Sequence, residues 1–183
     1  MVTISTARWD GRPRDRFPDD KTAYLEFLKR AVERYDGDGV QDAPGSPVVT
    51  CWQFGNEIDD PRSWHDSPRN YVRLLQTVYP VVKEASPQAL VALSGMATSA
   101  GVRKVLIPLL NDFARSGTAP GFDVVDLHWS RQFPGTYDRL ELAGESYGLQ
   151  ESLAEIRAAL DRNGYAGVPI WITEMSDYSG TPV

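Results

Sequence analysis

The sequence predicts an α/β fold with parallel strands, on three observations. Short apolar runs recur along the chain, amphipathic stretches long enough for crossover helices separate them, and the runs are almost continuously apolar, as strands covered on both faces are. The pattern leaves an open doubly wound sheet and a closed barrel both available. No glycine-rich phosphate loop follows the first run, so nothing favours a nucleotide-binding sheet.

Val2-Thr3-Ile4-Ser5-Thr6 reads as the first strand. A loop rich in Pro, Arg and Asp follows, and Asp19 or Asp20 can cap a helix to about residue 35, with Tyr24, Phe27, Leu28, Ala31 and Val32 at helical spacing. Asp36-Gly37-Asp38-Gly39 stops that helix, because glycine tolerates the left-handed backbone used there. A second strand is expected over 48–54, introduced by Pro47. The next helix, 68–85, carries Tyr71, Leu74, Leu75, Val78 and Val82 on one side, and Pro80 is expected to kink it or end it early. A strand at 89–93, a helix at 102–115, a strand at 122–129, a helix at 150–163 and a last strand at 168–173 complete the order. No repeat and no linker divides the chain.

With 183 residues, 42% hydrophobic and 24% charged, the chain has the composition of one ordinary globular domain. Its net charge is −6, from 25 acids against 19 bases without a block of like charge. Nucleic acid and an anionic membrane, which both want a basic face, are therefore not expected partners. Cys51 is the only cysteine, which excludes an intrachain disulfide, and within its apolar run it reads as a small buried hydrophobe. No apolar stretch approaches the roughly 20 residues of a membrane span. The first residues lack the charged head and long apolar core of a signal peptide, and localisation stays open. Five Trp and eight Tyr serve either packing or the stacking of flat rings on sugar faces.

Polar residues suited to catalysis gather where strands are expected to end: Gly55-Asn56-Glu57, His128 and Glu174. In parallel α/β folds the C-terminal strand ends face the active site, so separate strands supply one pocket. Period-two alternation puts Ile170, Ile172 and Glu174 on one face, and Val124, Asp126 and His128 on another such face. Two carboxylates from different strand ends suit cleavage of a glycosidic bond. One is protonated to assist the leaving oxygen, the other ionised to attack or to activate water. Placed close together they split their titrations, because the second negative charge is disfavoured beside the first. Taken singly, Glu57 and Glu174 each read more readily as surface carboxylates at strand-to-loop junctions.

Trp52-Gln53-Phe54-Gly55-Asn56-Glu57 resembles the strand-four signature of clan A glycoside hydrolases, in which an Asn-Glu pair ends the strand. Ile170-Trp171-Ile172-Thr173-Glu174 resembles the strand-seven signature of the same clan, and Leu127-His128-Trp129 its strand six. The lead-in Arg34-Tyr35-Asp36-Gly37-Asp38-Gly39 is similar to the segment before the acid/base strand. The likeness is nearest to family 39 xylosidases or the broad family 5 group. It implies a (β/α)8 TIM-barrel type of fold and a retaining double displacement with Glu57 as acid/base and Glu174 as nucleophile. It also implies substrate contacts from Asn56, at the sugar 2-hydroxyl, and from His128. Trp129, Trp64, Tyr178 and Trp9 are the candidate sugar platforms, and Asp126, deeper than His128, is expected to make a buried structural hydrogen bond. No metal and no organic cofactor is implied, and the partner is a carbohydrate substrate.

A full barrel of this kind takes about 250 residues. The matched motifs place 2–6 as strand three and 168–173 as strand seven, so residues 1–183 are expected to form part of a catalytic barrel. Inward residues such as Ile4, Ile170 and Ile172 are then expected to meet water, and the isolated chain to associate and to hydrolyse little. The alternative is a non-catalytic, truncated barrel fragment that acts, if at all, through association. A metal-dependent barrel enzyme using Glu57, His128 and Glu174 as ligands is a third reading, for which a paired His motif is lacking.

Overall fold

The computed structural model describes residues 1–6, 15–117, 121–130 and 148–176. Five strands alternate with helices: β1 (Val2–Ile4), α1 (Lys21–Arg34), β2 (Cys51–Phe54), α2 (Pro68–Ala85) and β3 (Leu90–Ala92) come first. A short α3 (Ser99–Gly101) then runs through a π-helical turn (Val102–Leu106) into α4 (Ile107–Ser116), followed by β4 (Val125–Ser130), α5 (Leu149–Arg162) and β5 (Ile170–Ser176).

All strand pairings are parallel. β1, β2 and β3 form one sheet, with Ile4 beside Phe54 and Gln53 beside Ala92, while β4 and β5 form a second. Isolated bridges join the two, Ala92 to Val124 and Met96 to Leu127, so the strands follow one another in chain order. The amides of Leu93 and His128 donate across that seam to the carbonyls of Val124 (2.9 Å) and Met96 (3.1 Å).

Local chemistry explains most boundaries. Asp20 caps α1 by accepting from the Ala23 amide at 2.9 Å, and Ser67 caps α2 through the Asn70 amide. Gly117, at φ 64°, ends α4 in the left-handed conformation. Pro80 neither ends nor interrupts α2, contrary to the sequence expectation. The proline forfeits one backbone bond at a cost of about 3 kcal/mol, but Val78 and Val82 on either side are fully buried. At roughly 1.5–3 kcal/mol for each such side chain, burial outweighs that loss. Pro108 acts differently. It cannot donate to the carbonyl four residues back, and the preceding turn widens so that the Ile107 amide reaches the Val102 carbonyl, five residues away.

Strand alternation sorts the side chains into two layers. One face of the strands (Ile4, Trp52, Phe54, Val91, Val125, Leu127) packs with every long helix in a single core that includes Leu28, Tyr71, Leu75, Leu110, Phe113 and Ile156. On the opposite face Cys51, Ala92 and Val124 form a much smaller apolar cluster with Leu90 and Trp171. That second face carries Thr3, Gln53, Asp126 and His128. Two expectations change here. Ile4 is buried against the helices rather than facing inward, because it pairs with Phe54. Phe27 lies off the buried stripe of α1 and is 57% exposed.

Candidate active site

Glu57 sits on a turn shaped by two positions in the left-handed region, one a glycine and one not. Gly55 has φ 72° and Glu57 itself φ 46°, a left-handed conformation that costs a non-glycine residue about 1–2 kcal/mol. Neighbouring bonds hold it there. The Asp60 amide donates to the Glu57 carbonyl at 2.8 Å, and Ile58 is buried. Asp59 accepts from the amides of Ala97 (2.9 Å) and Thr98 (3.1 Å) and from the Thr98 hydroxyl (2.9 Å), tying the turn to the loop after β3. A Cβ on Gly101 would fall 1.9 Å from the Asp59 carboxylate, so that glycine keeps the clamp open. Below the turn, the buried Tyr71 hydroxyl donates to the Phe54 carbonyl (2.8 Å) and accepts from the Ser94 amide (2.7 Å), joining the ends of β2 and β3.

His128 comes from β4 and Glu174 from β5. A register shift after Leu127 lets Leu127 pair with Ile172 and His128 with Glu174, which leaves Thr173 as the extra residue of a β-bulge. The expected alternation is thereby corrected: Glu174 shares its face with His128 and not with Ile170 and Ile172. Ile170 packs against the helix-side core, and Ile172 is 37% exposed. β4 runs one residue beyond its expected end, to Ser130, and β5 three residues beyond, to Ser176.

The three side chains meet. Nδ1 of His128 lies 3.1 Å from Oε1 of Glu57 and 3.7 Å from Oε2 of Glu174. One carboxylate oxygen from each glutamate and a ring nitrogen of His128 all fall within 4.8 Å of one another, although the glutamates stand 117 positions apart in sequence. His128 is 5% exposed, and the side chains of Glu57 and Glu174 are 27% and 64% exposed. Gly95 lies against the imidazole, for a Cβ there would sit 2.2 Å from Cδ2 and Nε2.

Beneath the ring, Asp126 is fully buried and takes four hydrogen bonds. Oδ2 accepts from Gln53 Nε2 and Thr173 Oγ1, both at 2.6 Å, and Oδ1 from the amides of Leu127 (2.8 Å) and Thr173 (3.2 Å). Thr3 extends the chain by donating to Gln53 Oε1 at 2.8 Å. Nε2 of His128 is 3.4 Å from Asp126 Oδ2. Burial alone would lower the imidazole pKa. The carboxylates of Asp126 and Glu57 at its two nitrogens, with the charge of Glu174, outweigh burial and push it up to about 9.

No family model and no curated protein matches the sequence, whereas solved structures do. The chain superposes over 98% of its length on 35% of a glucosidase from Croceicoccus marinus, with a TM-score of 0.69 and 17% identity. It covers 98% of itself and 37% of a monomeric beta-xylosidase from Caulobacter crescentus CB15, at TM-score 0.61 and 17% identity. A family 39 glycoside hydrolase from Bacteroides cellulosilyticus WH2 aligns over 91% of this chain and 33% of its own, at TM-score 0.58 and 19% identity. The fold is shared with glycoside hydrolases. At these identities the likeness is one of fold, and the chain spans about a third of the length of each of these glycosidases.

The remaining sequence candidates for a glycoside hydrolase site separate clearly. Asn56 is half-buried beside Glu57, and its side chain has no hydrogen-bond partner among the described residues. Trp129 pairs with Met175, and alternation sets it on the face of β4 opposite His128. Trp64 is corrected from sugar platform to core residue: it is 5% exposed and packs edge-on to Tyr71 with ring centroids 5.3 Å apart. Trp9 and Tyr178 lie outside the described residues. Gln53, Thr173, Asp59 and Gly95 went unnoticed in the sequence. Only Gln53 carried a signal, as the one polar residue in the Cys51–Phe54 run. The Glu57, His128 and Glu174 donor atoms are also close enough to hold a small cation, with one imidazole and two carboxylates as the ligand set. No described helix is long and apolar enough to cross a membrane.

Proposed function

We propose that this chain carries the catalytic carboxylate pair of a retaining glycoside hydrolase, with Glu57 as acid/base and Glu174 as nucleophile. The observation that carries the reading is the convergence of Glu57 and Glu174 across His128, with carboxylate oxygens within 4.8 Å. Retaining enzymes keep their carboxyls about 5–5.5 Å apart, whereas inverting ones leave about 6.5–9.5 Å for a water. Parallel strands in chain order with all long helices on one side are what a segment of barrel wall requires, and in that frame β1 to β5 correspond to strands three to seven.

In the first step a Glu174 oxygen bonds to the anomeric carbon as the bond to the leaving oxygen breaks, and Glu57 gives that oxygen its proton. In the second, Glu57 takes a proton from water, whose oxygen bonds to the anomeric carbon and releases Glu174. Asn56, adjacent to the acid and without a hydrogen-bond partner among the described residues, is the side chain we assign to a sugar hydroxyl. The more exposed Glu174 lies open to a substrate, while the half-buried Glu57 keeps its bond to His128.

The test is covalent trapping with activated 2-fluoro aryl glycosides, beginning with gluco and xylo configurations, followed by peptide mass spectrometry. A label on Glu174, absent in Glu174→Gln, is expected. Glu57→Ala should spare aryl glycosides with good leaving groups far more than natural ones. Labelling elsewhere, or equal loss on both substrate types, counts against the assignment.

A further inference from the structure

We infer that Asp126 is a positioning residue of this centre, its buried acceptor-only carboxylate holding a proton on Nε2 of His128 so that Nδ1 is the ring atom turned to the Glu57–Glu174 pair. The inference rests on the reading of those glutamates as a working pair. It follows from the donors around Asp126. The amides of Leu127 and Thr173 and the Gln53 side-chain NH2 offer only hydrogens, and they occupy both carboxylate oxygens. Turning the Gln53 amide over would set its oxygen against the carboxylate, so the donor assignment is fixed by charge. No Lys or Arg among the described residues bonds to this buried carboxylate, and the group beside it able to carry a positive charge is the His128 ring.

The ring is equally constrained. Nε2 is buried and makes no ideal hydrogen bond; Oδ2 of Asp126, at 3.4 Å, is the acceptor it faces. A proton on Nε2 is stabilised there, whereas a bare lone pair would oppose the carboxylate charge. Gly95 packs against the ring and blocks rotation on that side. Nδ1 is left toward Glu57 at 3.1 Å and Glu174 at 3.7 Å, as donor when the imidazole is charged and as acceptor when it is neutral. Among the described residues, the titratable groups facing His128 are therefore Asp126 on its own strand, Glu57 after β2 and Glu174 on β5; Gly95, after β3, brings none.

Imidazole ¹⁵N NMR of the full chain against pH reads the arrangement directly, since only two histidines are present and His128→Gln assigns them. In the unsubstituted protein Nε2 should stay protonated throughout while Nδ1 titrates. Asp126→Asn presents an amide NH2 to the ring. The neutral form should then carry its proton on Nδ1, and the midpoint should fall by at least about one pH unit. Asp126→Asn combined with Gln53→Glu keeps donors matched to acceptors one strand away and should show the same tautomer change in a folded chain. A neutral His128 bearing its proton on Nδ1 in the unsubstituted protein overturns the inference even if neither variant folds. So does an unchanged tautomer in a folded variant. Aryl-glycoside hydrolysis measured in parallel separates the two readings. A tautomer change in a chain that hydrolyses nothing keeps the role of Asp126 and removes the glycosidase; hydrolysis with an unmoved tautomer and pH profile does the reverse.

Discussion

Gly95→Ala tests how tightly the centre is packed. An added Cβ would meet Cδ2 and Nε2 of His128 at 2.2 Å, whereas carbon contacts settle at about 3.5–4.0 Å. Ring or backbone must therefore yield by more than about 1 Å. The ring has no such freedom, with Asp126 at 3.4 Å on one nitrogen and Glu57 at 3.1 Å on the other. Losing one hydrogen bond to a charged group costs about 1.5–3 kcal/mol, and overpacking costs about 1–3 kcal/mol. The two overlap, so a net loss of about 2–4 kcal/mol is expected. Gly95 lies outside the left-handed region, so the whole effect is steric and Gly95→Ser should behave alike. Urea unfolding gives the stability and the His128 ¹⁵N titration reports the site. A loss below about 0.5 kcal/mol together with an unmoved titration would refute the packing argument.

Four further outcomes are expected. Tyr71→Phe orphans the buried Phe54 carbonyl and Ser94 amide and should cost about 2–4 kcal/mol, seen as a lower urea midpoint. Asp59→Ala removes three hydrogen bonds from the loop after β3 and should cost about 1–3 kcal/mol, with faster amide exchange at Ala97 and Thr98. Because folding raises the His128 pKa from 6.5 to about 9, its stabilising contribution is complete below pH 6.5 and is lost as pH rises through about 9. Stability relative to His128→Gln should fall across that window, and a rise would reverse the sign. Met1, Val2, Ile172 and Met175 expose apolar surface on β1 and β5, so the purified chain should associate in light scattering; a stable monodisperse monomer would contradict this.

Much of the fold could be read from local chemistry. Asp20 announces α1, and the buried stripe of α2 is the predicted one, because caps and period 3.6 depend on neighbours in sequence. Glu57, His128 and Glu174 were visible as polar residues closing apolar runs. What escaped depends on partners far along the chain. Trp64 looked like a sugar platform because nothing local places Tyr71 against it. Phe27 fits the helical period yet lies where no described element covers it. The hydrogen bonds of Asp126 draw on β2, β4 and β5, so no window of sequence contains them.

The bulge at Thr173 gives β5 two phases. Ahead of it the strand follows its hydrophobic code and turns Ile170 toward the helices; beyond it the phase is inverted and Glu174 turns the other way. Thr173 is held out of register by its amide and hydroxyl bonds to Asp126. The direction in which Glu174 points is thus set by a contact with another strand and not by its own strand's alternation. Were β5 to pair with β4 without the bulge, all residues kept, period-two alternation would return Glu174 to the face of Ile170 and Ile172 and send the candidate nucleophile to the wrong side of the sheet.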